Sequence, residues 1–265
     1  MTAEIINRVL RSRRYRGVDR SILQRLVAEE LPRSRNPDDA VKRVKRRLHQ
    51  AVGAFRGAPR GDPLAAVRAA WNGDLADDAF RTACADVLRA HASTAERIPH
   101  LHRFYPSIWS RIGVPDRLLD IGCGLAPLAL PWMGIGAATY LATDIDRRAL
   151  DMVATFCELV GQPHEVRIVD AIAGAPTDEA DVALLLKLVA TLDRQDGEAA
   201  SRLLRGLNVR HAVVSFPRQS LGGRGRGMER TYRARLERLV SEVDRVREVA
   251  EASIPNELVF VLTLS

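Results

Sequence analysis

Two glycines and three acidic residues in this sequence are spaced as though they meet at one place. The run Leu119-Asp120-Ile121-Gly122-Cys123-Gly124 puts Asp-x-Gly-x-Gly at the end of a short apolar stretch. Glycines at such a turn let the backbone approach a ligand closely, because a Cβ would occupy the space. Asp144 lies in TYLATDI and Asp170 closes EVRIVD, each at the end of a further apolar run. An acid at a second strand end can accept both hydroxyls of a ribose, and one at a third can accept the amino group of adenine. A dinucleotide fingerprint wants a third glycine where Pro127 stands, and an aspartate inside the motif would repel a pyrophosphate. The set fits S-adenosylmethionine better, since that cofactor lacks phosphate and carries a cationic amino group and a sulfonium. Arg97, just upstream, is suited to a bidentate contact with the methionyl carboxylate. Singly, each feature also has a plainer use: a tight turn, a helix N-cap or a surface ion pair.

A second segment with chemical character runs from Val214 to Met228. Val-Ser-Phe-Pro ends an apolar run, and Arg218 is followed by four glycines interleaved with Arg224 and Arg226. A loop of this composition can follow phosphates with backbone and guanidinium groups, or close over a site. A linker without contacts has the same composition. Lys187, in LLLKL, ends another apolar run, where it would face substrate or pair with a nearby acid. His100 and His102 lack a third ligand nearby, and Cys84, Cys123 and Cys157 form no Cys-x-x-Cys pair, so no metal site and no disulfide framework is expected.

The elements that must position these groups change character along the chain. From residue 3 to about 90 the apolar positions recur at helical spacing, as in Val41, Val44, Leu48, Val52 and Phe55. Lys42, Arg43, Lys45, Arg46 and Arg47 lie between them and make a basic outer face. Pro32, Pro37, Gly57 to Pro63 and Gly73 break the rest into short helices. Ser93 and Glu96 have capping-box spacing and predict a helix running towards Trp109. Short strands are then expected at 117–122, 139–145, 165–170, 182–188, 211–216 and 257–264, alternating with helical segments. That alternation argues an α/β fold with a doubly wound sheet and ligands at the carboxyl ends of its strands.

Charge follows the same division. Residues 1–90 carry 19 Lys and Arg against 11 Asp and Glu, while residues 91–265 carry 21 against 22, so the net charge of +7 arises wholly in the first third. Such asymmetry suits a module that meets a polyanion, followed by a near-neutral module with another task. A solvated basic face in an Arg-rich protein, with 37 Arg against 3 Lys, would look similar. No apolar run is long enough to span a bilayer, and the charged start MTAEIINRVLRSRR lacks a signal-peptide core, which predicts a cytoplasmic, unanchored protein.

Taken together, HASTAER, LDIGCGLAPLAL, ATDID, LLLKL and VSFPRQSLGGRGRGM resemble the aminoglycoside-resistance methyltransferases of 16S ribosomal RNA that modify N7 of guanine 1405. The resemblance runs from about residue 15 onward. It implies an all-helical N-terminal domain (1–90) that engages the 30S subunit through Lys42, Arg43, Lys45, Arg46 and Arg47. A Rossmann-like S-adenosylmethionine-dependent methyltransferase domain (91–265) would follow; separately, no exposed heptad or apolar strip in the sequence demands a dimer, so a monomer is expected. The resemblance further implies that His91, Ala92, Ser93, Thr94, Ala95, Glu96 and Arg97 form the side of the cofactor site. Gly122 and Gly124 would be its turn, Asp144 and Ile145 the ribose site, Asp170 and Ala171 the adenine site, and Leu186, Lys187 and Gln195 the remaining edge, with Phe55 nearby. Ala126 departs from the family's Gly-Leu-Asn-Pro run.

Guanine N7 has a free lone pair and no proton, so the chemistry asks for orientation rather than a general base. Lys187, Phe216, Arg218, Arg224 and Arg226 are then candidates for positioning the substrate, with Phe216, Arg218 or Trp109 as a surface on which the target base could stack, although Trp71, Trp109 and Trp132 suit the core better than a stacking platform. A methyltransferase of the same fold with another rRNA nucleotide as target is a rival reading, since a fold does not choose its substrate. The basic N-terminal third alone also fits an RNA-binding ribosome-assembly factor without activity, against which the glycine turn, Asp144 and Asp170 argue.

Overall fold

The computed structural model describes residues 1–52, 61–89, 91–218 and 227–265. Phe55, Arg224 and Arg226 lie outside them. Before the first sheet strand come helices α1 (Thr2–Leu10), α2 (Arg20–Glu30), α3 (Pro37–Val52), α4 (Ala65–Ala70), α5 (Asp78–Leu88), α6 (Ala92–Ala95) and α7 (Leu101–Ile112). The first three share one core. Ile5, Ile6 and Val9 of α1, Ile22, Leu23, Leu26 and Val27 of α2, and Ala40, Val41, Val44 and Leu48 of α3 are buried against one another. Their i, i+3 and i+4 spacing puts them on one face of each helix, and each large side chain contributes about 1.5–3 kcal/mol by leaving water. Asp19 caps α2 through the Ser21 N–H, and Asn36 accepts from the Asp39 N–H at the start of α3.

Residues 64–88 take a different partner. Leu64, Val67, Phe80, Cys84 and Leu88 belong to the same apolar cluster as Leu118, Tyr140, Val182 and Val213 of the sheet. α4 and α5 thus share a core with the sheet although the charge count grouped them with α1 to α3; residues 61–90 carry three Lys and Arg against five Asp and Glu, so the positive excess lies before them.

The sheet comprises β1 (Arg117–Ile121), β2 (Thr139–Asp144), β3 (His164–Ile168), β4 (Glu179–Leu186), β5 (Asn208–Pro217), β6 (Val246–Ile254) and β7 (Glu257–Leu264), in the order β3-β2-β1-β4-β5-β7-β6. β1 to β5 pair in parallel, and β7 runs antiparallel between β5 and β6. Successive residues point to opposite faces: Val182 and Leu184 join one cluster, Ala183 and Leu185 the other. Between strands run α8 (Leu130–Met133), α9 (Arg147–Val160), α10 (Val189–Asp193), α11 (Ala199–Gly206) and α12 (Met228–Ser241). Connections leave β1 in opposite directions from β4, so their carboxyl ends open a crevice.

Two expectations are corrected. The sequence reading missed β6, an edge strand whose Arg, Glu and Ala read as helix formers; only Ala252 and Ile254 in it are fully buried. Its one clear signal is the Pro255-Asn256 turn into β7. The helix expected from Ser93 to Trp109 is broken into α6, a 3-10 turn (Ile98–His100) and α7, with His91 at the N-cap and no side-chain capping bond. Glu96 bonds Lys187 instead, and Pro99 has no N–H to donate back to the Ala95 carbonyl, so the α-helical ladder is interrupted there.

The three N-terminal helices reach the sheet through residues 17–19. Asp19 N–H donates to the Ile145 carbonyl (3.0 Å) and Arg147 N–H to that of Gly17 (2.9 Å). Gly17 is required by this approach, since a Cβ would lie 2.0 Å from Asp146 Oδ1. The basic helix α3 is partly turned inward. Arg47 pairs with Glu30 (3.1 Å) and Glu29 (3.3 Å), and Arg43 with Asp39 (3.3 Å) and Glu30 (3.5 Å), whereas Lys42 and Arg46 are exposed. Glu30 is only 5% exposed, so Arg43 and Arg47 neutralise a buried carboxylate rather than offering free charge to RNA. Arg47→Ala is accordingly expected to destabilise the protein by about 3 kcal/mol in a denaturant titration, against less than about 0.5 kcal/mol for Arg46→Ala. Equal effects would place Glu30 in a less demanding environment.

Candidate active site

A cleft of about 470 Å³ lies at the carboxyl ends of β1, β2 and β4, with residues from the N-terminal helices on its outer wall. Its floor is the turn after β1. Gly122 and Gly124 both have left-handed backbone (φ 67° and 51°), and a Cβ on Gly122 would meet Leu188 at 3.1 Å. The Gly124 N–H donates to Asp144 Oδ2 (2.9 Å), and the Asp146 N–H donates to Oδ1 (2.9 Å). The second strand end is thus clipped to the glycine turn through one carboxylate. The N–H of Gly124 that a pyrophosphate would use is already taken by an acid.

Asp120, the acid inside the glycine motif, was given no role of its own by the sequence, and its buried side chain borders the cleft. It accepts from the Tyr140 hydroxyl (2.6 Å). Burial pushes its carboxyl up to about 7, against the pull of the Tyr140 hydrogen bond and of Arg97, with Asp144 adding repulsion. Burial raises Asp144 as well, opposed by its backbone donors. Asp170, two residues beyond β3, accepts from the Ile172 N–H (3.1 Å) and from Arg25 Nε (2.6 Å). Arg25 comes from α2, and nothing in the local sequence around either residue signals the pairing, because they lie 145 positions apart.

On the other side stand His91, Ser93, Thr94 and Arg97. Burial lowers the His91 imidazole, with Asp146 opposing. The Thr94 hydroxyl donates to the Leu88 carbonyl (2.5 Å), with the His91 carbonyl beside it (3.1 Å), which fixes α6 against α5. Arg97 is buried and donates twice to Glu257 of β7, from Nη2 (2.6 Å) and Nε (3.1 Å), with its guanidinium 4.3 Å above the Phe104 ring. The bidentate fork expected to face the cleft is therefore spent on a protein carboxylate. Burial alone would raise Glu257, but Arg97 and Lys187, with the Arg97 and Ser215 hydrogen bonds, hold it below the usual carboxylate range.

Lys187 follows β4 in left-handed backbone (φ 58°), a conformation that costs a lysine of order 1–3 kcal/mol. Its Nζ bonds the Ser93 carbonyl (2.9 Å) and Glu96 (2.7 Å) and lies 3.8 Å from Glu257. It ties α6 to the sheet. Ile145, Ala171, Leu186 and Gln195 border the cleft as well, whereas Ala95 and Glu96 do not. Arg13, Arg14, Arg16 and Arg148 stand at the outer wall and were not anticipated as site residues.

Two proposed stacking residues are excluded by burial. Phe216 is wholly buried, stacked on Tyr232 (4.9 Å) and edge-on to Phe260 (6.4 Å), because Ala212, Val214 and Phe216 lie on the side of β5 that faces the second apolar cluster. Trp109 is buried with its Nε1–H donating to the Met133 carbonyl (2.7 Å). Arg218 is partly exposed, 3.7 Å from Glu229 and 3.9 Å from Glu251. Among the described residues no group of three His, Cys, Asp or Glu is disposed to hold a metal, and no helix is long and apolar enough to cross a membrane.

The chain matches the family model described as ribosomal RNA methyltransferase (FmrO) over residues 11–261. It is 39% identical over 259 residues to a 16S rRNA (guanine(1405)-N(7))-methyltransferase of Frankia casuarinae, covering 96% of this chain and 90% of the relative. It is 37% identical to the protein of that name from Micromonospora rosea, covering 96% and 93%. Among solved structures it is similar to the 16S rRNA methyltransferase RmtF in complex with S-adenosyl-L-homocysteine, with a TM-score of 0.82, 32% identity and coverage of 100% and 98%. Because the agreement runs through the N-terminal helices as well as the sheet, the chain belongs to the FmrO family of ribosomal RNA methyltransferases.

Proposed function

We propose that the chain transfers a methyl group from S-adenosylmethionine to N7 of guanine 1405 of 16S rRNA in the 30S subunit, and so confers aminoglycoside resistance. The observation that carries this reading is the cleft: its donors and acceptors are those of a cationic, phosphate-free nucleoside ligand, in a chain aligned nearly end to end with methyltransferases named for that nucleotide. When bound, the cofactor supplies an electrophilic methyl group on a sulfonium. Asp144 and Ile145 would hold its ribose, Asp170 and Ala171 its adenine, and Asp120 would lie towards its cationic end. His91, Ser93, Thr94, Leu186 and Gln195 would complete the walls around it.

The protein's remaining task is orientation. N7 of guanine attacks through its own lone pair, so no side chain has to remove a proton. Lys187, held by Glu96 and the Ser93 carbonyl, keeps the α6 wall in register with the strand ends and so keeps the reacting groups aligned. Arg218, beside the segment that contains Arg224 and Arg226, is left as the candidate to meet the target nucleotide. The exposed Lys42 and Arg46, with Lys45, carry the docking to rRNA phosphates, which makes binding salt-dependent.

The direct test follows labelled methyl from S-adenosylmethionine into intact 30S subunits and naked 16S RNA, then maps N7-methylguanine by strand scission. A single labelled guanine at 1405 is the expected outcome; label at another nucleotide would move the target, and cofactor binding without transfer would remove the activity. Lys42→Glu with Arg46→Glu should weaken 30S binding at least tenfold while leaving cofactor affinity intact, as loss of phosphate contacts demands. Binding to 30S equal to the unsubstituted protein would take α3 out of the interface.

Asp120 gives a pH dependence of definite sign. Free, its carboxyl titrates at about 7. A cation beside it favours the carboxylate and lowers that value, so cofactor binding below pH 7 releases a proton and affinity rises with pH up to about 7, then levels. Calorimetry at pH 6.5 in two buffers of different ionisation enthalpy should show proton release that Asp120→Asn abolishes. Identical heats in both buffers would mean that Asp120 does not respond to the cofactor.

A further inference from the structure

The wall of the cleft beside β3 is completed by a residue from outside the sheet. We propose that Arg25, on α2, is a positioning residue of the adenine site, holding the Asp170 carboxylate where it accepts the exocyclic amino group of the base. The inference rests on the assignment of Asp170 to adenine made above. It gives the N-terminal helices a part in cofactor recognition beside their part in RNA docking.

Asp170 follows β3 on a turn, where a carboxylate with one local bond could swing towards water. It is instead gripped at both oxygens, Oδ1 by the Ile172 N–H (3.1 Å) and Oδ2 by Arg25 Nε (2.6 Å). Each oxygen retains a further acceptor site for a donor from the cleft. Arg25 is itself fixed, since its Nη1 pairs with Glu29 (2.6 Å), and Glu29 accepts from Arg47 Nη2 (3.3 Å). A planar guanidinium anchored at two edges is pre-organised, so little freedom is lost when a ligand arrives. Ile22 and Leu26 on the same helix, with Ile172 opposite, add apolar surface of the kind the face of a purine requires.

The chemistry makes the role measurable. Adenine presents an amino donor to Asp170, whereas hypoxanthine presents a carbonyl oxygen, and two acceptors facing one another repel. A carboxylate held in place discriminates between them strongly, and one free to turn away discriminates little.

The test is calorimetric titration of the full chain with S-adenosylhomocysteine and with its inosine analogue, for the unsubstituted protein, Arg25→Ala, Arg25→Lys, Asp170→Asn and the double variant Arg25→Ala/Asp170→Asn. Arg25→Ala should bind S-adenosylhomocysteine about tenfold more weakly, the scale of a charge-assisted hydrogen bond. Its preference for adenine over hypoxanthine should fall towards that of Asp170→Asn, and the double variant should bind no more weakly than Asp170→Asn alone. Arg25→Lys, which keeps the charge and loses the planar fork, should fall between, and it decides the matter if Arg25→Ala does not fold. Asp170→Asn binding as tightly as the unsubstituted protein would overturn the assignment of Asp170, and the inference with it. Weak binding by Asp170→Asn beside unchanged affinity and preference in the Arg25 variants would overturn the role of Arg25 alone. So would lost affinity with the base preference intact, since that is what damage to folding produces.

Discussion

The buried pair between Arg97 and Glu257 is the constraint on which the cleft depends. Two ions taken out of water cost several kcal/mol each, and only close mutual bonds offset that cost. Here Arg97 spends two N–H groups on Glu257, the Ser215 hydroxyl donates to the same carboxylate, and Lys187 approaches it. These residues come from the segment after α6, from β7, from β5 and from the residue after β4. One carboxylate therefore fixes the separation of four parts of the chain, and the wall carrying His91, Ser93 and Thr94 has its position from that contact. The left-handed backbone at Lys187 makes sense in the same frame, since it turns the ammonium towards Glu96 and Glu257.

The cleft also has an electrical design. Asp120, Asp144 and Asp170 line its inner surface, and Arg13, Arg14 and Arg16, from the connection between α1 and α2, line its outer rim. A cationic nucleoside is welcome at the centre and a polyanion at the margin. The two requirements of an enzyme that joins a sulfonium cofactor to RNA are met a short distance apart, because α1 to α3 pack onto the ends of β2 and β3 rather than standing away from the sheet.

Much of this was legible in the sequence, and the rest was hidden for physical reasons. Apolar runs ending in Asp120, Asp144 and Asp170 announced the strands and the inner face, because parallel strands buried on both faces leave an unbroken apolar signature. β6 was hidden because an edge strand buries so few residues. The use of Arg97, Arg43 and Arg47 was hidden because a basic residue looks the same in sequence whether its acid is a ligand, a phosphate or Glu257. Phe216 was assigned to a stacking surface by residue type, and only the register of β5 reveals it as interior, whereas Trp109 takes the core position that suits a tryptophan better. A charge count summed to residue 90 hides that Leu64 to Leu88 lie in a slightly acidic stretch, whose inner face packs on the sheet.

The placement of β7 has a consequence for how the protein is made. It is synthesised after β5 and β6, yet it lies between them, and it carries Glu257. During translation the parallel strands can gather while the guanidinium of Arg97 still lacks its carboxylate and β5 still lacks its antiparallel neighbour. Domains tend to organise from the end that emerges first, but here the decisive strand comes last. A nascent chain therefore holds an unfinished cleft until β7 inserts, and the capacity to bind a nucleoside arrives in one late step.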